Sequence, residues 1–191
     1  MRAIVSLTAA LLLSAGLAAC STNKAQPTVL APSSPSSAAS SADPPANSII
    51  SAPVQPPEAE AQTAAGAMAF VRHYFAVVDY AYATGDTAPL AAASDPQCAP
   101  CAHIVALVND ANSKELTYSR EPTTISSVSG LAEEPFQAVE IDTIFSTSGL
   151  SLVEQSGVVV AATDAAKDEH LRFLLIKSGT SWLVHNYRDV R

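Results

Sequence analysis

The sequence predicts an α+β domain in which N-terminal helices pack on a curved antiparallel sheet of four or five strands. Two patterns predict it. Apolar residues recur at three- and four-residue steps up to about residue 112, then give way to alternation and β-branched runs from residue 123 onward. Helices first and strands afterwards is the α+β order, with the helices gathered on one face of the sheet. A third observation bounds the domain. Residues 21–62 hold almost no aromatic or large apolar side chain and cannot contribute a core.

Residues 1–19 read as a lipoprotein signal peptide. Arg2 supplies the positive start, and residues 3–13 are apolar apart from Ser6 and Thr8. That run is too short for a permanent membrane span. Leu17-Ala18-Ala19-Cys20 then places small side chains directly before a cysteine. A lipoprotein peptidase needs this arrangement, because Cys20 carries diacylglycerol before the cut is made. The competing reading is an ordinary secretory cleavage with Cys20 a bystander. Two acyl chains suffice for stable anchoring, so the expected location is the extracytoplasmic face of the cell membrane. Arg2 stands alone, so the twin-arginine signal is absent.

Residues 20–62 read as the lipidated cysteine and a disordered tether. Eight of the thirteen prolines fall here, among Ser, Ala and Thr. Such a chain cannot bury enough surface to offset its ordering entropy. As a coil it spans on the order of 35 Å, and fully extended about 130 Å.

Residues 63–191 remain as a single domain. In 64–84, Met68, Val71, Phe75, Val78 and Tyr82 form one apolar helix face, and Gly85 follows as a C-terminal cap. Residues 87–93 make a short helix. A third starts near Pro96 or Pro100 and runs to about Asn112, with Ile104, Val105, Leu107 and Val108 as core residues. Strands follow at 123–129 and 136–147. In the latter Val139, Ile141, Thr143 and Phe145 alternate with Glu140 and Asp142. Residues 150–162 read as one strand with Gly157 as a bulge or bend, and 171–177 and 181–189 as a closing pair.

Charge narrows the partners. Only Arg2 and Lys24 of the ten basic residues, and Asp43, Glu58 and Glu60 of the eighteen acidic ones, lie before residue 63, which leaves eight against fifteen. No basic stripe exists, which argues against nucleic acid and anionic headgroups as partners.

Phe70-Val71-Arg72-His73-Tyr74-Phe75, the run from Asp79 to Asp86, Pro89-Leu90 and the Cys98/Cys101 pair resemble a family of actinobacterial cell-envelope lipoproteins defined only as a domain of unknown function. The resemblance spans essentially the whole chain and is most specific in the helical part. The order of elements is similar to the cone of nuclear transport factor two and scytalone dehydratase. That likeness implies a cavity between helix and sheet but settles no function.

Cys98 and Cys101 are left once Cys20 is acylated. The first reading is a local disulfide pinning the third helix. A thioredoxin-type dithiol is a second reading, although no strand leads into Cys98. Haem attachment needs His directly after the second cysteine, and His103 comes one residue late. A zinc site would draw on His73, His170 or His185, which lie far apart in sequence. Enzymes with the cone fold use Tyr, His and Asp in the cavity. The residues of those types here are Tyr74, Asp79, Tyr80, Tyr82, His103, His185 and Tyr187, with no spacing rule joining them.

The preferred reading is a membrane-anchored module without a cofactor and without a catalytic role, which meets an envelope protein or cell-wall component. The alternatives are a thiol–disulfide protein using Cys98 and Cys101, and a cavity enzyme. The anchor is directly testable. Metabolic labelling with a fatty-acid analogue is expected to mark the wild-type chain and not Cys20→Ser; equal labelling of both would remove the anchor from the account.

Overall fold

A computed structural model describes residues 50–131 and 138–190. The signal peptide, Cys20, most of the tether and Phe136 lie outside the described residues. Within them, three helices precede seven strands: α1 (Ala64–Thr84), α2 (Ala88–Ala92), α3 (Ala99–Ser113), β1 (Leu116–Ser119), β2 (Thr124–Leu131), β3 (Ala138–Thr147), β4 (Ser151–Glu154), β5 (Val159–Ala162), β6 (Ala166–Ser178) and β7 (Ser181–Asp189). The strands form an antiparallel sheet in the order β2-β3-β6-β7 and a smaller one in the order β1-β4-β5.

Helix α1 forms as its pattern dictates. The Thr63 hydroxyl accepts a hydrogen bond from the Gly66 N–H at 3.1 Å, and Gly85 ends the helix in the left-handed region at φ 77°. Its burial is wider than the predicted stripe. Phe70, Tyr74, Val77 and Ala81 are buried beside Val71, Phe75, Val78 and Tyr82. Two-sided packing is the cause: α1 contacts β2 and β3 and also touches α2 and α3.

The folded chain starts before residue 63. Pro57–Glu60 forms one turn of 3-10 helix with Ala59 fully buried. The Trp182 indole N–H donates to the Ala61 carbonyl at 3.0 Å, and the Gln62 amide donates to the Gly179 carbonyl at 2.6 Å. Gly66 permits this contact, since a Cβ there would sit 1.9 Å from the Ala61 oxygen. Proline at the first helical position suits the turn, and a lone small apolar residue such as Ala59 gave no pattern to read.

The sheets also hold more strands than expected. β1 is only four residues long, too short to show alternation. Residues 150–162 fold back as the β4–β5 hairpin, with Gly157 in its turn at φ 86°. In β3, Val139, Ile141 and Thr143 are buried under the helices as the alternation predicts. The opposite face carries charge: Arg172 bonds Asp142 through Nε at 2.6 Å and Nη2 at 2.8 Å, and Glu140 lies 3.5 Å from both Arg172 and Arg188. The Arg172 hydrogen bonds hold the Asp142 carboxyl below the usual carboxylate range.

Cys98 and Cys101 are bonded to each other, with Cα atoms 5.3 Å apart. Cys98 caps α3, its Sγ accepting from the Cys101 N–H at 3.3 Å, and both residues are 1% exposed beside Val184 of β7. The loop closed is short and already stiffened by Pro96 and Pro100, so the bond removes little denatured-chain entropy. Reduction is therefore expected to lower the unfolding free energy by about 1–3 kcal/mol and leave the domain folded at room temperature. Urea titration with and without reductant reads this, and complete unfolding on reduction would contradict it.

Candidate functional site

Asp79 lies near the C-terminal end of α1, partly buried. Its carboxylate accepts from the Thr123 N–H at 2.8 Å, from the Thr123 hydroxyl at 2.9 Å and from the Arg120 guanidinium. Arg120 also donates to the Thr123 hydroxyl at 3.1 Å and lies over the Tyr82 ring, 4.9 Å from its centroid. Residues 120–123 are the link between β1 of one sheet and β2 of the other. The carboxylate on α1 thus fastens the link from which both sheets depart.

Inside this clamp is a cavity of about 150 Å³ between α1, α3 and the large sheet. Tyr74, Val78 and Tyr82 line it from successive turns of α1, with Phe173 and Tyr187 opposite and Arg120 at the edge. Phe173 joins the walls: its ring centroid is 5.9 Å from Tyr74, 5.6 Å from Phe75 and 5.3 Å from Tyr187. Among the described residues the lining has no carboxylate and no imidazole.

Burial sets the chemistry of the phenols. It pushes Tyr187 up to about 12, helped by nearby Tyr82 and Asp189. It raises Tyr74 as well, opposed by the Ser94 hydroxyl, and Tyr82, opposed by Arg120. Phenols so shifted stay protonated at neutral pH and act as hydrogen-bond donors, not bases. Two donors in the lining are buried without a well-formed hydrogen bond: the Tyr74 hydroxyl and Arg120 Nε. The Tyr187 hydroxyl donates to the Pro100 carbonyl at 3.4 Å.

The residues singled out from sequence separate into three places. Tyr74, Tyr82 and Tyr187 line the cavity. Asp79 is spent on the clamp, and Tyr80 lies outside it, donating to Asp86 at 3.1 Å. Tyr80 and Asp79 line an outer groove of about 540 Å³ with Ile50, Pro53, Tyr118 and Pro122. His103 is exposed on α3, and His185 pairs with Asp95 at 2.6 Å on the side of the domain that holds the disulfide. The Gln97 N–H and then His185 hold the Asp95 carboxyl below its ordinary range. Neither histidine lines the cavity. Sequence reasoning missed Arg120, Thr123, Phe145, Leu171 and Phe173. Arg120 stands 41 residues from Asp79, and no local spacing joins them.

Comparison with known structures gives matches at low identity. The intermembrane space region of chloroplast protein ARC6 is 12% identical, with a TM-score of 0.50 over 68% of this chain and 98% of that one. Aln2 from a Streptomyces species is 12% identical, with a TM-score of 0.39 over 66% and 90%. An Rd1NTF2 variant is 12% identical, with a TM-score of 0.35 over 65% and 96%. No curated protein matches the chain. A family of unknown function, DUF6318, matches residues 37–188, from within the proline-rich stretch to the end of β7. The match covers most of the sequence, and the chain belongs to that family of unknown function.

Proposed function

We propose that this chain is a lipid-anchored, extracytoplasmic binding module whose cavity takes a small, neutral, largely apolar ligand bearing a hydrogen-bond acceptor. The observation that carries the reading is a largely apolar hollow with two buried donors in its lining, Arg120 Nε without a hydrogen bond and Tyr74 Oη with only a poorly formed one to the Ser94 hydroxyl. A buried donor without a partner costs about 1–3 kcal/mol, and an acceptor on a ligand recovers it. Arg120 already has its charge matched by Asp79, so a charged ligand gains no counter-ion. The volume suits a ligand of benzene size, since a dry cavity of about 150 Å³ in another protein binds benzene.

Two competing readings lose support on geometry. A thiol–disulfide protein needs a sulfur that an attacking thiolate reaches, and Cys98 and Cys101 are each 1% exposed. A cavity enzyme is best served by a base, and the polar groups of the lining are protonated phenols, the Thr123 hydroxyl and a paired guanidinium. The Leu17–Cys20 motif supports the anchor, and the proline-rich stretch before residue 57 supports a spacer.

Acetophenone and α-methylstyrene have nearly the same planar heavy-atom frame and differ by a carbonyl oxygen in place of a methylene. In a titration followed by NMR, acetophenone is expected to shift the Tyr74, Phe173 and Tyr187 signals and to bind about tenfold more tightly, a difference of about 1.4 kcal/mol. Leu171→Trp is expected to fill the hollow and abolish binding while the fold persists. Equal affinity for the two probes would remove the donor argument, and no binding of either would remove the cavity reading.

A further inference from the structure

Strand β5 lies at the edge of the small sheet and, among the described residues, pairs only with β4. Every one of its residues is exposed; Val158, just before it, and Val159 and Val160 within it are 55%, 56% and 47% exposed. They are three of the five large apolar side chains exposed among the described residues. The hairpin is nonetheless well formed. The Thr163 N–H donates to the Leu150 carbonyl, the Leu150 N–H to the Thr163 hydroxyl and the Glu154 N–H to the Val158 carbonyl, each at 2.9 Å.

Both edges of the large sheet are covered or polar. β7 is covered at its middle, where the Asp95 N–H donates to the Val184 carbonyl and the Val184 N–H to the Ala93 carbonyl. β2 presents exposed Thr124, Ser126, Ser127 and Ser129. β5 carries neither charge nor proline, the usual protections of an edge, and its one irregularity is the register shift opposite Leu152 and Val153. An ordered, uncharged, apolar edge is a template for strand addition.

Charge selects what adds. Glu154 stands before the hairpin turn and Asp164 after β5, with Asp168 and Glu169 beyond and Lys167 the one basic residue of that stretch. We infer that β5 is a docking edge for an extended apolar segment of a partner protein flanked by lysine or arginine. A second copy of this chain is the poorer occupant. Antiparallel pairing of β5 with itself would set the Glu154 end of one hairpin beside the Asp164 end of the other, and each chain has a formal net charge of −8.

The probe is a fluorescent peptide, Lys-Lys-Val-Thr-Val-Thr-Val-Lys-Lys, titrated into residues 21–191, which lack the apolar leader and the acylated cysteine. Two control peptides carry Glu in place of Lys, or N-methyl groups on alternate amides. The basic peptide is expected to bind, with amide shifts confined to the β4–β5 hairpin, and both controls to bind about tenfold or more weakly. Because the controls alter the peptide, the fold of the protein is untouched. Equal binding of the acidic or N-methylated peptide, shifts centred elsewhere, no binding up to about 1 mM, or dimerisation of the protein through β5 would each overturn the inference.

Discussion

One carboxylate organises this fold. Asp79 is reached by three hydrogen bonds from the link between β1 and β2, two from Thr123 and one from Arg120. Among the described residues these are the hydrogen bonds that tie α1 to the link at which the two sheets part. With them, Arg120 is held over Tyr82 in the lining of the hollow, while Tyr74 and Phe75 on the same helix pack against Phe173. Apolar burial supplies the bulk of the stability, through Phe70, Val71, Tyr74 and Val77 on α1 and Phe173, Leu175, Trp182 and Val184 on the sheet. Such burial is non-directional, so it does not by itself decide whether a hollow survives. The clamp does.

Local chemistry was legible in the sequence and non-local chemistry was not. The end of α1 at Gly85, the alternation of β3 and the nearness of Cys98 to Cys101 each depend on residues a few positions apart, and each stands in the structure as read. The Phe70, Tyr74, Val77 and Ala81 side of α1 was missed because a helix packed on two sides loses the single stripe that periodicity detects. The β4–β5 hairpin was read as one strand because its turn holds a single glycine and no Asn-Gly or Asp-Gly pair. The cavity was the hardest part. Tyr74 and Tyr187 were named for their type, but the groups that close around them come from β3, β6 and the β1–β2 link. Only tertiary pairing brings Arg120 to Asp79.

The same constraint shapes the functional reading. The binding-module proposal rests on a cavity whose polar groups are neutral hydroxyls and a paired guanidinium. The cysteines are buried where they fasten α3 against β7. On the far side of the large sheet the Glu140, Asp142, Arg172 and Arg188 network makes a solvated face, so the apolar surface available for contact lies elsewhere, at the outer groove and at β5.

The most direct test of the clamp is a double-mutant cycle on Asp79→Ala and Arg120→Ala, with stability read by urea unfolding and the cavity read by acetophenone titration. A coupling energy of about 1–3 kcal/mol is expected, with acetophenone affinity lost in both single variants. A coupling below about 0.5 kcal/mol with the affinity unchanged would show that the hollow stands without the pair and would contradict the account.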